Sequence, residues 1–133
     1  MKSGDTFEAV VAPSHPLCPA TSAHVELSTE ALIAGRTMAE LRERFGRFVR
    51  HTDVICSWGP YVPSLYEAAG GCLPPARLDL RSAARLFAAG KAGTPADFAV
   101  RIGAPTLPSA GPGRAMRRLD ELHAIVRHLR ELT

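Results

Sequence analysis

The sequence predicts an α/β fold in which a small sheet of two to three strands is packed by helices. Three observations lead there. Short β-branched or apolar runs bounded by glycine and proline recur at residues 6–12, 53–58 and 78–80. Segments with apolar residues at helical spacing lie between and after them. Strands alternating with helices, without internal repeats or low-complexity tracts, build a sheet covered by helices. The chain has 133 residues, 46% of them apolar, and so has the size of one domain spanning 1–133.

The first predicted strand is Thr6–Ala12, TFEAVVA, closed by Pro13. PSHPLCPATSAH follows, and its three prolines predict an irregular, extended loop. Ser28 opens a short helix that Gly35 ends. Thr37 and Glu40 have the spacing of a capping box, and Leu41, Phe45, Phe48 and Val49 follow at helical period, so a helix is expected from Met38 to about Arg50. Asp53–Trp58 is the second strand, and its VIC run predicts burial on both faces. Pro60 and Pro63 restrict the next segment to a junction or a first helical turn, with helix continuing from Ser64 to Ala69 until Gly70-Gly71 stops it.

Leu78–Leu80 reads as a short third strand leading into a helix, RSAARLFAA, stopped by Gly90. Thr94 followed by Pro95 caps and starts a short helix ending at Gly103. After the loop APTLPSAGPG, a long amphipathic helix is expected over Arg114–Glu131, with Met116, Leu119, Leu122, Val126 and Leu129 on its apolar face.

Composition excludes several classes. No run approaches the length of a membrane span, and MKSGDTFEAVV lacks the apolar stretch of a signal peptide, so a cytoplasmic protein without membrane contact is expected. Cys18, Cys56 and Cys72 have neither disulfide-framework nor zinc-ligand spacing and are expected to be reduced and mostly packed. The net charge of +3 is mildly basic, and arginine supplies most of the excess. That fits either phosphate contacts or solvated helix faces. The sparse aromatic residues are not interleaved with basic ones, which argues against a base-stacking platform. His51, Asp53 and Ser57 lie near one another but lack a nucleophile elbow. His15 with Cys18, and His123 with His128, lack ordinary zinc spacing.

The order DTFEAVVAP, LSTEALIAGRTMAELRERFGRFV, DVICSWGPYVPSL, LPPARLDLR and GRAMRRLDELHAIVRHL resembles the DEDDh 3′-to-5′ exonucleases of the RNase H-like superfamily. The nearest subgroup is that of the RNase T/DnaQ-like relatives, which include the ERI and KapD proteins. The resemblance covers nearly the whole chain and implies a partial RNase H-like fold that lacks the family's first strands. It also implies a two-metal nuclease ancestry using Mg²⁺ or Mn²⁺, whose chemistry needs anionic ligands to hold both ions and a histidine to activate water.

Those ligands are missing. The family's Asp-x-Glu strand has no counterpart, because Asp5 and Glu8 are three apart and belong to what would be the third strand. At the SWGPYV junction Val62 stands where the family has aspartate. On the last helix Gly113 replaces the histidine and Arg118 the aspartate. No catalytic residue and no metal site is therefore expected, and the resemblance implies a catalytically inactive domain that binds RNA or single-stranded nucleic acid, or another protein. The alternative is an exonuclease whose metal site is completed by another chain or by a missing N-terminal segment.

The candidate nucleic-acid residues are Arg114, Arg117, Arg118, Trp58 and Tyr61. The arginines either grip phosphate or are exposed helix residues; Trp58 and Tyr61 either stack on a base or pack the junction against the sheet. Because the family's central first strand is absent, three arrangements are expected as alternatives. The 6–12 and 53–58 strands pair directly, a second copy or a protein partner supplies the missing strands, or the chain is the C-terminal part of a longer polypeptide.

Overall fold

The computed structural model describes residues 5–87, 90–105 and 111–132, and its fold is mixed α/β. Seven α-helices and one two-stranded parallel sheet are found among these residues, in the order α1 (Thr21–Val25), α2 (Thr29–Ile33), α3 (Met38–Phe48), β1 (Ile55–Ser57), α4 (Tyr61–Ala68), β2 (Arg77–Asp79), α5 (Leu80–Phe87), α6 (Pro95–Arg101) and α7 (Gly113–Glu131).

The segment expected as the first strand, 6–12, forms no ladder. Its pairing is a single parallel bridge between Val11 and Arg36, with Ala12 N–H donating to Arg36 O at 2.8 Å and Arg36 N–H to Val10 O at 2.7 Å. Pro13 ends the run before more bonds can form, since it has no N–H to give. The bridge needs close backbone approach, and a Cβ on Gly35 would meet Ala12 N at 2.6 Å. The loop expected over 13–24 is not irregular throughout: α1 forms at its end, where the prolines stop, and Glu26 closes it in the left-handed conformation at φ 59°.

Side-chain caps place the next helices where the sequence puts them. Ser28 accepts from Ala31 N–H before α2. Thr37 and Glu40 form the full capping box of α3, which ends at Phe48 rather than near Arg50. One face of α3 meets the extended N-terminal segment through aromatic contacts, with the Phe7 ring centroid 5.3 Å from Phe45 and 5.5 Å from Phe48. Phe45 also reaches Tyr66 of α4 at 5.3 Å, and the Arg42 guanidinium donates to Ala69 O at 2.9 Å. Helix α4 begins at Tyr61, so of the two arrangements open to the proline-bearing segment it takes the first helical turn, where proline forfeits no intrahelical hydrogen bond. Gly70 and Gly71 then close it by donating to Glu67 O and Tyr66 O.

Strands β1 and β2 pair in register as Ile55 with Arg77, Cys56 with Leu78 and Ser57 with Asp79. The sheet differs from expectation in two ways. Neither strand pairs with 6–12, and burial is one-sided: α5 packs against β1, while Cys56 and Leu78, directly paired and hence on one face, are exposed. Leu80, expected as the end of the third strand, is the first residue of α5 and is only 3% exposed. Ala88 and Ala89, expected in the same helix, lie outside the described residues, as do positions 106–110 of the following loop.

The main core sits between α5, α6, α7 and the end of β1. It comprises Ala84, Ala92, Phe98, Ala99, Ala104 and Ile125, with Trp58, Ile102 and Leu129 packed against it. Thr94 and Asp97 cap α6 reciprocally, and Pro95 occupies its first turn. The apolar face assigned to α7 needs correction: Ile125 is fully buried, whereas Leu119 is 43% exposed. The cysteines are free and exposed rather than packed, because the parts of the chain that carry them are left uncovered.

Candidate functional site

The strand-to-helix junction at 57–62 is built around Asp79, which is not among the residues singled out from the sequence. Its Oδ1 accepts from Gly59 N–H at 3.0 Å, Arg81 N–H at 2.9 Å and Ser82 N–H at 3.2 Å, and its Oδ2 from the Ser82 hydroxyl at 2.8 Å. Partial burial works against the charge of this carboxyl, but the four donors outweigh it and hold its pKa below the ordinary value. Asp79 thus ties the end of β2, the start of α5 and the β1–α4 turn to one another. The signal in the sequence was the Asp-Leu-Arg-Ser run at a strand-to-helix boundary, which is a capping pattern.

Trp58 is half-buried and packs on Phe98 with ring centroids 5.7 Å apart, while its Nε1–H donates to Gly93 O at 3.2 Å. Of the two roles open to it, the packing one is the one its contacts serve. Tyr61 and Val62, on the first turn of α4, are 72% and 69% exposed. The Val62 side chain offers no oxygen to a cation, and Gly113 lies close to the end of α1: a Cβ there would be 3.1 Å from Leu27 Cδ2 and 3.5 Å from Val25 O. Gly113 also has φ +88°, a conformation in which histidine is strained.

The arginines of α7 divide. Arg117 makes a two-pronged ion pair with Glu26, Nη1 to Oε2 at 2.5 Å and Nη2 to Oε1 at 2.7 Å. These bonds hold the Glu26 carboxyl below its usual pKa and raise that of Arg117. Arg114 reaches His24 Nδ1 and His24 O, both at 3.4 Å. Both side chains therefore fasten α7 to α1. Arg118 is exposed and, among the described residues, has no ion pair or hydrogen bond. Of the five candidate nucleic-acid residues, Trp58 is half-buried against the core, Arg114 and Arg117 are held by α1, and Tyr61 and Arg118 are exposed on different helices.

No group of three or more His, Cys, Asp or Glu that could hold a metal ion occurs among the described residues. His51, Asp53 and Ser57 do not form a relay, since Asp53 accepts from Arg50 N–H and the Ser57 hydroxyl donates to Gly59 O at 2.9 Å. No helix among the described residues is long and apolar enough to cross a membrane. Comparison of the chain with family models, with characterised proteins and with solved structures found no match.

Proposed function

We propose that the chain is a catalytically inactive, exonuclease-like interaction domain of RNase H-like ancestry, acting in the cytoplasm, whose open sheet is completed by a second copy of itself. The observation that carries this reading is the uncovered face and edge of the parallel sheet. Parallel strands are ordinarily buried on both faces, yet here the paired residues Cys56 and Leu78 are exposed, Leu78 at 42%, and so is Val54, just before β1, at 56%. A sheet of two short strands is also too small to be stable by itself, and its outer edges carry peptide groups ready to pair.

A completed metal site receives less support. Arg118 would repel cations, and α7 packs chiefly on α6 and α1 rather than on the helix that carries Val62.

Sedimentation equilibrium over a range of protein concentrations tests the association. A mass that rises with concentration, and falls back to the monomer in a Val54→Asp/Leu78→Arg variant of unchanged helical circular dichroism, is expected. A strict monomer whose β1 and β2 amides resist hydrogen exchange as well as those of α7 would refute it, and a stable complex with a different purified protein through the same face would replace the second copy. Incubation of purified chain with single-stranded RNA and DNA plus Mg²⁺ or Mn²⁺ is expected to leave both uncut.

A further inference from the structure

Three cations outside the ion pairs described above face a single cleft. This open cleft, about 640 Å³, lies between α5 and the loop leading into α6, and Arg81, Arg85, Lys91, Thr94 and Asp97 are among its lining residues. Arg81 and Arg85 are one helical turn apart and project from the same side of α5, with Lys91 on the facing loop. Among the described residues none of the three side chains has a hydrogen bond or ion pair.

The cleft's carboxylate does not neutralise them by contact. Asp97 Oδ2 is occupied by Thr94 N–H at 2.9 Å and the Thr94 hydroxyl at 2.7 Å. The loop is also anchored from behind. Arg101 donates to Lys91 O at 3.1 Å, Trp58 donates to Gly93 O at 3.2 Å, and Ala92 between them is 2% exposed. The backbone that carries Lys91 is therefore anchored beside the two arginines before any ligand arrives, which lowers the ordering cost of the loop on binding.

We propose that this cleft binds a phosphomonoester carried by a small molecule. Three cations against one carboxylate leave an excess of two positive charges, and a phosphomonoester brings about −1.5 to −2 at neutral pH. A phosphodiester would bring a single negative charge and leave the cleft undercompensated. Guanidinium groups bond phosphate oxygens in pairs, and the volume lies within the roughly 300–1,000 Å³ of small-molecule sites. The assignment is independent of the sheet association.

Isothermal titration calorimetry on the full chain, with ribose 5-phosphate, inorganic phosphate and ribose as probes, tests it. Saturable binding of the two phosphates and none of ribose is expected. Arg85→Gln and Lys91→Gln should each weaken binding ~10-fold, whereas Arg127→Gln on α7 should not. Arg85 and Lys91 are exposed, so a double variant is expected to keep the wild-type circular dichroism. Phosphate-dependent shifts of the Lys91 amide resonance give a readout that needs no variant. The proposal fails if neither phosphate binds saturably at millimolar concentration, or if a folded double variant binds as tightly as the wild type. An oligonucleotide arm separates the sources: preference for a 5′-phosphorylated strand over the same strand with a free hydroxyl agrees with a phosphomonoester site. Equal binding of both strands, lost in the double variant, would overturn it in favour of backbone contact.

Discussion

Asp79 shows how much one carboxylate holds together in a chain with so short a sheet. It accepts from Gly59, Arg81 and Ser82, and so fixes the turn after β1 and the start of α5 at once. Replacing it with alanine leaves these donors without their acceptor, and Asp79→Ala is expected to lower stability by about 1–2 kcal/mol at neutral pH. The pH dependence follows from the direction of its shift. A carboxyl whose folded pKa is depressed adds stability above its unfolded value, about 3.9, and loses it as pH falls through the lower folded value. Urea denaturation from pH 7 down to pH 3 should therefore show the gap between wild type and Asp79→Ala narrowing below about pH 4; a gap that stays constant would mean that the charge of Asp79 contributes nothing.

At the scale of elements, α6 and α7 form the most closely packed pair, and Phe98 and Ile125 are its fully buried large side chains. Phe98→Ala is expected to cost about 3–5 kcal/mol, measured by chemical denaturation, while Leu86→Ala on α5, at 87% exposure, should change stability by less than about 0.5 kcal/mol. Element boundaries were legible where a local signal sets them. Ser28, Thr37 with Glu40, Thr94 with Pro95, and Gly70-Gly71 all act at the positions the sequence indicates. Burial was less legible, because it depends on what lies opposite. Ile125 lies outside the apolar stripe expected for α7 yet falls on the face that meets α6, and the VIC run suggests burial on both sides although only one face of β1 is covered. The arginines named on α7 were visible as charge, but their engagement by His24 and Glu26 depends on α1, which hid in a proline-rich run. Arg81 and Arg85 were equally visible as a one-turn pair; what the sequence could not supply was Lys91 facing them across the cleft.

At the scale of the molecule, the apolar side chains collect in two places. One cluster joins Phe7, Phe45, Phe48 and Tyr66, and the other surrounds Phe98 and Ile125 with Trp58 at its margin. Polar ties such as Arg117 to Glu26 and Arg77 to Glu67 bridge parts of the chain, but exposed pairs of this kind contribute little. The slender sheet adds little more, so the two clusters should not unfold as one unit. The chain has a single tryptophan, and Trp58 reports only the second cluster. In urea, the tryptophan fluorescence transition is accordingly expected at higher denaturant than the first part of the loss of helical circular dichroism, which α3 and its neighbours supply. Phe7→Ala removes the ring that connects the extended N-terminal segment to α3, and should shift the early transition to lower urea while leaving the fluorescence midpoint in place. Coincident transitions in the wild type, or an equal shift of both midpoints in Phe7→Ala, would show that the clusters are energetically one core. If association covers the open sheet face, raising protein concentration should draw the two midpoints together, since each mole of interface formed stabilises the elements that flank it.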